Sequence, residues 1–556
     1  MKDFMHKVNW SIKSHWFILG AAAYFTVALN LSFWRYVFIH LELSNVDVYI
    51  AILSLPVILC LLLAAVLNFL IWPYIGKPIL IVLLLSASVA NYFMYKLGIF
   101  IDADMIRNVF ETTPRETLDL VTFSGLLWAL SLGVAPALVV GWVKIEYAAR
   151  PLRELSLRLA VMTLCLTVSG GLVVASFKEY SSFGRNNRQV RRLINPANYL
   201  YAFVRYFQLE ARANRVFAEL DPEADLAPIP DPHHTVFIII VGETARAKNF
   251  SLNGYERETT PRLAQEDIIN FPKMYSCGTA TATSLPCMFS ALGRADFDSV
   301  NAKYAGNLID LLWQSGYQVW WRDNDDGCKG VCDRVPNEAM TISGNPQYCF
   351  GDYCHDEVLL DGLEEYLRAV TKDTVIVLHT MGSHGPSYYK RYPERFKKFI
   401  PECTTADLEK CSREEIVNTY DNTILYTDYI VSEAIDILKK FPDFEAGLLY
   451  VSDHGESLGE NGIYLHGLPY AVAPKEQRHV PMLLWISENM KKYDYLDYRR
   501  LKENAARREY SHDYLFHSLL ALLEVDSRTY QPNLDIFAPY RLPGMPEGWA
   551  RGRVNK

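Results

Sequence analysis

The chain contains 556 residues, which is too many for one compact core and predicts more than one domain. Hydrophobic residues make up 50% of the chain, and they are concentrated in its first third. The formal net charge of -8 and the lack of a basic cluster argue against a nucleic-acid partner. This charge is only mildly acidic, so it selects no class of substrate by itself.

The first third of the sequence contains five apolar segments, each long enough to cross a bilayer as a helix. Backbone polar groups inside hydrocarbon need internal partners, so we expect these segments to be helical. A cleaved signal peptide is the alternative for the first segment, but its aromatic end and the lack of a small-residue cleavage site disfavour it. Buried helices of a soluble domain are the alternative for the third and fifth. The segments lie near residues 16–39, 48–72, 78–99, 121–143 and 159–177.

Lysine and arginine in the short loops predict how these segments are oriented. The N-terminal tail and the loop after the fourth segment are basic, whereas the loop near 101–119 has more Asp and Glu than Arg. The basic ends are therefore expected in the cytoplasm, and an odd number of spans places the chain after about residue 178 outside. The basic residues are Lys2, Lys7, Lys13, Lys144, Arg150, Arg153 and Arg158, with weak support from Lys77.

The ten cysteines agree with this topology. Cys60 and Cys165 lie in predicted spans, where cysteine serves as a small apolar packing residue. The other eight lie in the part expected outside, which predicts a disulfide framework in an oxidising compartment. Nearest-neighbour pairing is the simplest pattern, and a zinc ribbon is the alternative. The pairs would be Cys277 with Cys287, Cys328 with Cys332, Cys349 with Cys354, and Cys403 with Cys411.

Residues 178–234 connect the membrane part to the rest of the chain. They begin basic and continue through an aromatic stretch with helical character, which suits either an interfacial helix or an amphipathic helix packed on the soluble domain. A proline cluster then predicts a linker. The residues concerned are Arg185, Arg188, Arg191 and Arg192, then Tyr199, Leu200, Tyr201, Phe203, Val204, Tyr206 and Phe207, then Pro222, Pro228, Pro230 and Pro232.

From about residue 235 the sequence alternates short apolar strands with helices, which predicts an α/β fold with a mostly parallel sheet between helices. We therefore expect a membrane domain over 1–177, a connector over 178–234 and a catalytic domain over 235–556. Active residues gather at the carboxyl ends of such strands. Strands are expected at 235–242, 318–322, 373–380, 446–452 and 481–486, and helices at 305–315, 355–370, 413–439 and 512–523.

Three strand ends carry residues that commonly bind metal ions. Asp453 and His454 follow one strand, and Gly455 is expected to let the backbone turn sharply under the metal. Glu243 follows the strand Val236-Phe-Ile-Ile-Ile-Val-Gly242, and the stretch from His379 to His384 ends the third strand. A hydrogen-bonded structural pair and a solvent-facing carboxylate are the respective alternatives. His384 and His466, each next to glycine in a loop, favour the metal site.

Thr281 lies in the run Cys277-Gly-Thr-Ala-Thr281-Ala-Thr-Ser-Leu-Pro-Cys287. A threonine hydroxyl is a weak acid, but coordination to a divalent cation would lower its pKa as it does for water. A disulfide across the run would fix the approach of this hydroxyl. The alternative nucleophiles are Thr279, Thr283 and Ser284, one of which we expect to cap a helix instead.

These motifs resemble those of bacterial phosphoethanolamine transferases, especially those that modify lipid A, including the mobile colistin-resistance enzymes. The resemblance covers essentially the whole chain and shows no departure at the metal positions. It implies an alkaline-phosphatase- or sulfatase-like periplasmic domain anchored in the inner membrane by five helices. The motifs are Gly242-Glu243-Thr-Ala-Arg, Cys277-Gly-Thr-Ala-Thr281, Gly382-Ser-His384-Gly-Pro, and Ser452-Asp453-His454-Gly-Glu-Ser-Leu-Gly-Glu-Asn-Gly-Ile-Tyr-Leu-His466-Gly.

The resemblance also implies roles for individual residues. Zinc would be held by Glu243, Thr281, Asp453 and His454. His384 and His466 would contact a second zinc or the phosphoryl group, and one of them could protonate the leaving oxygen. Lys329, in Gly327-Cys328-Lys329-Gly330, matches a position that contacts the phosphoethanolamine.

The implied reaction uses two lipids, which would explain the membrane anchor. Phosphatidylethanolamine would be the donor, a phosphate of lipid A the acceptor, and a phosphoethanolamine-threonine the covalent intermediate. The modification would confer resistance to polymyxin and other cationic peptides. We expect a monomer that contacts membrane lipids and no nucleic acid.

Four other functions remain open from the sequence. A sulfatase would need a Cys-x-Pro-x-Arg-like context, whereas Gly-Thr-Ala-Thr follows Cys277 and Met-Phe-Ser-Ala follows Cys287. A phosphoglycerol transferase resembling lipoteichoic acid synthase is less favoured, given the clustered cysteines and the His466 motif. The acceptor could be Kdo or a core sugar. A non-enzymatic envelope protein would be expected to lack a metal ligand, and all are present.

Overall fold

The protein forms two compact units in a computed structural model, one comprising Met1–Ile106 and Val121–Tyr206, the other Arg107–Leu120 and Phe207–Lys556. The segment that precedes the fourth apolar stretch thus belongs to the second unit. The domain boundaries expected after residues 177 and 234 stay predictions. The structure describes residues 11–40, 46–212, 216–227, 233–340, 345–351, 353–493 and 496–543. Outside these lie the predicted topology and linker residues Lys2, Lys7, Pro228, Pro230 and Pro232.

The N-terminal part of the chain is helical. A π-helical turn, Leu130–Val134, joins its helices α7 and α8. In chain order the helices are α1 (Ser14–Ala28), α2 (Leu31–His40), α3 (Val46–Leu70), α4 (Gly76–Lys96), α5 (Ala103–Glu111), α6 (Pro114–Leu120), α7 (Phe123–Ala129), α8 (Ala135–Trp142), α9 (Pro151–Ala175), α10 (Phe177–Asn186) and α11 (Ala197–Arg212).

Among the described residues, four stretches are long and apolar enough to cross a membrane: Val48–Leu70, Gly76–Lys96, Phe123–Trp142 and Pro151–Ala175. A fifth exists if the bent pair α1 and α2 forms one span. The span predicted over 16–39 is bent, because α1 and α2 are inclined to each other by 52° at a short break. Buried Asn30 lies at the break, and its side chain exchanges hydrogen bonds with the backbone of Asn195 (2.9 and 2.8 Å).

Arg158 does not belong to a loop, although the sequence suggested it. Helix α9 begins at Pro151, and Arg158 lies buried inside it. Its Nε donates to Glu154 Oε1 at 2.9 Å, and its Nη1 donates to the carbonyl of Asn68 at 2.7 Å. This pairing neutralises Arg158. Arg153 also lies inside α9, so the topology prediction depends on Lys144, Arg150 and the N-terminal tail.

The aromatic connector packs on the apolar helices. The Tyr180 hydroxyl lies 2.7 Å from Ser54 Oγ on α3, and the Tyr199 hydroxyl lies 2.9 Å from Ser86 Oγ on α4. Tyr201 is nevertheless 73% exposed. One face of α11 therefore packs on protein while another faces outward, which is compatible with the predicted interfacial position.

The second unit is built on a seven-stranded sheet in the order β2-β7-β6-β1-β5-β3-β4. Four of its six strand pairings are parallel, and both antiparallel pairings involve β7. The sheet is thus mixed rather than simply parallel, although the five predicted strands are all present. The strands are β1 (Thr235–Gly242), β2 (Ile268–Asn270), β3 (Gln318–Asp323), β4 (Asn337–Ala339), β5 (Thr374–His379), β6 (Glu445–Ser452) and β7 (Met482–Ile486).

The central strands β1, β5 and β6 read as apolar runs because the sheet buries both of their faces. The long helix α15 begins with a capping box in which Ser412 and Glu415 satisfy each other's backbone amides. The helices of this unit after α11 are α12 (Thr281–Met288), α13 (Leu308–Gln314), α14 (Leu363–Arg368), α15 (Arg413–Leu438), α16 (Lys475–Arg478), α17 (Glu488–Tyr493), α18 (Tyr498–Ala505) and α19 (Leu515–Leu522).

The remaining strands are short and lie outside this sheet. Within the described residues they form small two- or three-stranded pairings, of which the pair Ser11–Lys13 with Lys144–Glu146 belongs to the first unit. Their bounds are Ser11–Lys13, Lys144–Glu146, Asp225–Leu226, Met274–Tyr275, Cys349–Phe350, Tyr353–Cys354, Ser457–Leu458, Tyr464–Leu465, His479–Val480, Tyr510–Ser511 and Val525–Asp526.

All four predicted disulfides are confirmed, which excludes a zinc ribbon because bonded sulfurs are not free to bind metal. Cys60 and Cys165 are free and lie in α3 and α9, as expected. The bridges close loops of 10 residues or fewer. Such loops restrict the unfolded chain locally.

We predict that replacing both Cys403 and Cys411 by Ser lowers the free energy of unfolding by about 2–3 kcal/mol, because the unfolded chain regains the entropy of an open loop. Denaturant unfolding of the full chain in detergent measures the change. Cys60→Ala is the matched control, since it removes a sulfur without opening a loop. An unfolding midpoint equal to that of the control would contradict the prediction.

Candidate functional site

Three neighbouring strands end beside one another and deliver polar side chains to one edge of the sheet. Glu243 follows β1, Asp453 and His454 follow β6, and His379 ends β5. Because β1 pairs in parallel with both β5 and β6, the carboxyl ends of all three strands lie together. The sequence predicted this convergence from the strand pattern alone.

Glu243, Asp453 and His454 form a compact cluster that is fully buried. His454 Nε2 lies 3.5 Å from Glu243 Oε1 and 3.3 Å from Asp453 Oδ2. His454 Nδ1 lies 3.0 Å from the carbonyl of Gly455, so it carries the proton and leaves the Nε2 lone pair directed at the carboxylates. A carboxylate pair facing an imidazole lone pair is suited to a cation.

Thr281 is the first residue of α12, and its hydroxyl joins this cluster. Thr281 Oγ1 donates to Glu243 Oε2 at 3.1 Å and lies 3.3 Å from His454 Nε2. The helix N-terminus adds a partial positive charge at the hydroxyl. The hydroxyl is thus placed both to coordinate a cation and to meet an anionic group.

The neighbouring hydroxyls have structural roles, and the expected side-chain cap is absent. The residue before α12 is Ala280, which provides no side-chain cap. Thr279 Oγ1 donates to the carbonyl of Leu468, and Ser284 Oγ donates to the carbonyl of Asp453, both at 2.5 Å. Ser284 thereby ties α12 to the strand end that carries the cluster.

The cluster's buried polar atoms fit a bound divalent cation. Glu243 Oε1 and Asp453 Oδ2 have no hydrogen-bond partner in the part of the chain that the structure describes. Burial raises the pKa of Glu243, helped by Asp453, and raises the pKa of Asp453 to about 6. Burial also lowers the pKa of His454. A cation would satisfy the orphan oxygens, and two carboxylates, an imidazole and a hydroxyl match zinc's preferred ligand set and number.

His384, His466 and Lys329 line a pocket of about 40 Å³ that opens at Thr281. The rings of His454 and His466 are 4.4 Å apart between centroids, and those of His384 and His466 are 5.5 Å apart. His466 Nδ1 lies 3.0 Å from buried Glu456 Oε2, which fixes the ring. Lys329 Nζ donates to the carbonyl of Asp326 at 2.9 Å. The structure therefore brings all the sequence-predicted site residues together in this pocket and the adjoining cluster.

Three pocket residues come from a distant segment and were not predicted from the sequence. Asn108, Glu111 and Thr112 of the second unit also line this pocket. They come from the segment treated as a loop between spans, and Glu111 pairs with Lys303. The only sequence signal was the amphipathic character of residues 103–111, which does not identify a partner.

A buried ion pair behind the cluster was also missed. His379 Nδ1 lies 2.9 Å from Asp323 Oδ2. Burial opposes charge on His379, but Asp323 outweighs it and raises the pKa of the imidazole to about 9. Asp325 lines the pocket and lies 3.9 Å from His379 Nε2. The charged imidazole of His379 offsets part of the negative charge around Glu243. The position of His379 at a strand end could not by itself reveal its pairing with Asp323.

Close backbone packing explains two glycines at the site. A Cβ on Gly455 would lie 2.1 Å from the carbonyl oxygen of Glu476, and one on Gly382 would lie 2.6 Å from that of Glu243. Gly382 also has a φ of +50°. Gly455 is therefore needed for close approach, whereas the sequence analysis attributed it to a sharp turn.

Backbone strain is concentrated beside the functional side chains. Thr244, Lys329 and Leu465 adopt φ values of 52°, 51° and 61°, which side chains other than glycine rarely do. They follow Glu243, form part of the pocket, and precede His466, respectively. Such conformations cost roughly 1–3 kcal/mol each and persist where the surroundings enforce them.

A buried metal-type cluster at the strand ends of an α/β sheet, with a threonine at the adjoining helix start, defines an enzyme of the alkaline phosphatase and sulfatase fold class. Residues 235–525 match the sulfatase family, and residues 59–211 match the family described as phosphoethanolamine transferase EptA/EptB. Among curated relatives, phosphoethanolamine transferase EptA of Escherichia coli K12 is 42% identical over 529 residues, which cover 95% of this chain and 96% of that protein.

Two further comparisons agree. Phosphatidylethanolamine transferase Mcr-1 of Escherichia coli is 40% identical over 430 residues, covering 74% of this chain and 78% of that protein. The integral membrane lipooligosaccharide phosphoethanolamine transferase A (EptA) from Neisseria meningitidis superposes with a TM-score of 0.93 at 39% identity, covering 96% of this chain and 100% of that one. The chain belongs to the EptA family of phosphoethanolamine transferases.

We predict that Asp453→Asn lowers the content of tightly bound divalent cation, because it removes a charged ligand and keeps the side chain's shape. The expected loss of affinity is at least the roughly 10–100-fold that follows removal of an outer-shell partner. Elemental analysis of the purified protein measures the content. Asp421→Asn, at a buried carboxylate bonded to Tyr255 and Arg257, is the control. Equal metal content in the two variants would refute the assignment.

Proposed function

We propose that the protein transfers phosphoethanolamine from phosphatidylethanolamine to a phosphate of lipid A, through a covalent intermediate on Thr281. The observation that carries this proposal is the contact of Thr281 Oγ1 with both Glu243 and His454 at the mouth of a pocket lined by Lys329 and two histidines. The family membership supplies the group transferred, and the name of the relative Mcr-1 supplies the donor.

The first half-reaction would place the donor phosphodiester in this pocket. Thr281 Oγ1 attacks phosphorus and gives up its proton, and Glu243 Oε2, which already accepts that hydroxyl's hydrogen bond, is placed to take it. The bond from phosphorus to the diacylglycerol oxygen breaks with its electron pair. His384 or His466, both lining the pocket, protonates that oxygen, and diacylglycerol leaves.

The second half-reaction reverses the roles. An oxygen of the acceptor phosphate attacks the phosphorus of the phosphoethanolamine-threonine, and the bond to Thr281 Oγ1 breaks. The threonine oxygen regains a proton from the group that received it. Lys329, held by the carbonyl of Asp326, offsets negative charge on the phosphoryl oxygens in both steps.

Zinc is the cation that the donor set favours, and Glu243, Thr281, Asp453 and His454 would hold it. Two carboxylates, one imidazole and one hydroxyl suit this ion, and the orphan oxygens of Glu243 and Asp453 support its presence. When bound, zinc supplies Lewis acidity that favours the ionised threonine. His384 and His466 would remain available to the substrate.

The membrane helices support lipid substrates on both sides of the reaction. We place the basic ends of the helices in the cytoplasm and the catalytic unit in the periplasm, where disulfides form. The bacterial inner membrane would hold a monomer in contact with both lipids. The four closed disulfides support this compartment.

A core-sugar acceptor is the second candidate. A Kdo(2)-lipid A phosphoethanolamine 7''-transferase of Escherichia coli is 29% identical over 447 residues, lower than the 42% to EptA. The motif from Ser452 to Gly467 resembles the lipid A branch more closely. We therefore favour lipid A, and product analysis separates the two.

We predict that protein incubated with phosphatidylethanolamine gains the mass of one phosphoethanolamine, mapped to Thr281, because its hydroxyl contacts both Glu243 and His454. Intact-protein and peptide mass spectrometry measure the adduct. Thr281→Ala should abolish it, whereas Thr283→Ala, two residues further along α12, should retain it. An unchanged adduct on the Thr281→Ala protein would disprove the mechanism.

We also predict that expression in a susceptible Gram-negative host adds phosphoethanolamine to lipid A and raises the inhibitory concentration of polymyxin. The added ammonium cuts the negative charge of the lipid surface, which weakens the attraction of a cationic peptide by about 1 kcal/mol per affected basic group. Mass spectrometry of lipid A and of core oligosaccharide gives the outcome. A modified core oligosaccharide with unmodified lipid A would contradict the acceptor that we propose, while the transfer of phosphoethanolamine would still hold.

A further inference from the structure

The first unit contains a cavity of about 630 Å³ that has no role in the reaction described above. It lies where the chain leaves helix α4, between residues 101–104 and the segment that leads into α11. Its volume is within the range of roughly 300–1,000 Å³ typical of small-molecule sites. Residues that directly follow a membrane-spanning helix lie near the lipid headgroups, so a headgroup is the nearest ligand.

Three arginines give this cavity a positive wall. Arg191, Arg192 and Arg205 line it together with Asp102 and Asp104, which leaves one excess positive charge. Burial raises the pKa of Asp102 to about 6, although the positive charge of Arg192 lowers it in part. Neither Arg191 nor Arg205 forms an ion pair with any residue in the described ranges, so two guanidinium groups remain available to a ligand.

The wall is held in place by the connector's own hydrogen bonds. Asn198 is buried in the first turn of α11, and its Nδ2 donates to the carbonyl of Arg192 at 3.1 Å. Tyr199 on the same turn bonds to Ser86 of α4. The arginines are thus presented from a fixed backbone, and the N-terminus of the 16-residue helix α11 adds its positive dipole to the cavity.

We propose that this cavity binds the phosphorylated sugar headgroup of the acceptor lipid, with Arg191 and Arg205 forming paired hydrogen bonds to a phosphate monoester. The guanidinium fork matches phosphate oxygens in geometry and charge. Tyr201, largely exposed at the rim, is placed to pack on the sugar or to donate its hydroxyl. This proposal rests on the proposed function, because it assumes an acceptor lipid.

The chemistry favours a phosphate monoester over the phosphodiester of ordinary phospholipids. A monoester carries roughly -1.5 to -2 charges near pH 7, and a diester carries one. Two unpaired guanidinium groups can satisfy the larger charge. A phosphate group by itself would fill only part of the cavity, which leaves room for the attached sugar.

The test separates the two half-reactions in full-length protein reconstituted in nanodiscs. The double variant Arg191→Gln, Arg205→Gln should raise the KM for lipid A by about tenfold or more, because it removes two charged hydrogen-bonding partners. Its rate of Thr281 adduct formation from phosphatidylethanolamine, measured without acceptor, should stay within about twofold of the wild-type rate. The retained adduct also shows that the variant is folded.

Arg153→Gln is the matched control, since this exposed arginine belongs to the same unit and does not line the cavity. Arg153→Gln should leave the KM for lipid A unchanged. The double variant Arg191→Lys, Arg205→Lys keeps the charges but not the guanidinium forks, so its KM should lie between those of the wild type and the double Gln variant. An unchanged KM in the double Gln variant would overturn the cavity proposal. If that variant still forms the Thr281 adduct, the proposed function is unaffected. A wild-type protein that forms no adduct would instead refute the proposed function.

Competition identifies the source of the phosphate. Lipid A binding to wild-type protein, measured by native mass spectrometry, should resist excess inorganic phosphate and excess phosphatidylglycerol. Displacement by phosphatidylglycerol at equal concentration would show a general site for anionic lipids and overturn the headgroup assignment. Displacement by millimolar inorganic phosphate would mean that the sugar contributes nothing to the affinity, which would also contradict the headgroup assignment.

Discussion

The buried cluster of Glu243, Asp453 and His454 is the constraint on which the rest of the catalytic unit depends. Its two carboxylates are fully buried, and one oxygen of each, Glu243 Oε1 and Asp453 Oδ2, has no hydrogen-bond partner among the described residues. Burying two carboxylates in this way costs free energy of folding unless a cation compensates their negative charge. Thr281 Oγ1 contacts Glu243 and His454 of this cluster, where it would complete the ligand set that we propose.

The scaffold enforces this arrangement by rigid means. Parallel pairing of β1 with β5 and β6 aligns the strand ends, and the close approach at Gly455 allows the backbone to pass beneath the site. The bridge between Cys277 and Cys287 ties the segment before α12 to the last turn of that helix and limits the freedom of the backbone around Thr281. The strained residues Thr244, Lys329 and Leu465 surround the chemistry, as expected where function overrides local preference.

The sequence predicts features whose causes are local. Spans, strands, the disulfide pairs and the metal-type residues were all foreseen, because hydropathy, strand pattern and spacing lie within short stretches. The missed features need distant partners. The bend at Asn30 depends on Asn195, the neutralised Arg158 depends partly on Asn68, and Asn108 reaches the pocket only because its segment joins the other unit. The expected side-chain cap is absent because Ala280 occupies the cap position of α12, and Ser284, inside the helix, bonds to Asp453.

Anomalous X-ray scattering at the zinc absorption edge, from crystals of the full-length protein, tests the central claim most directly. We expect a peak about 2.0–2.2 Å from oxygens of Glu243, Asp453 and Thr281 and from Nε2 of His454. No peak at this position in catalytically active protein, or a peak held by other residues with Thr281 remote from it, would contradict the account.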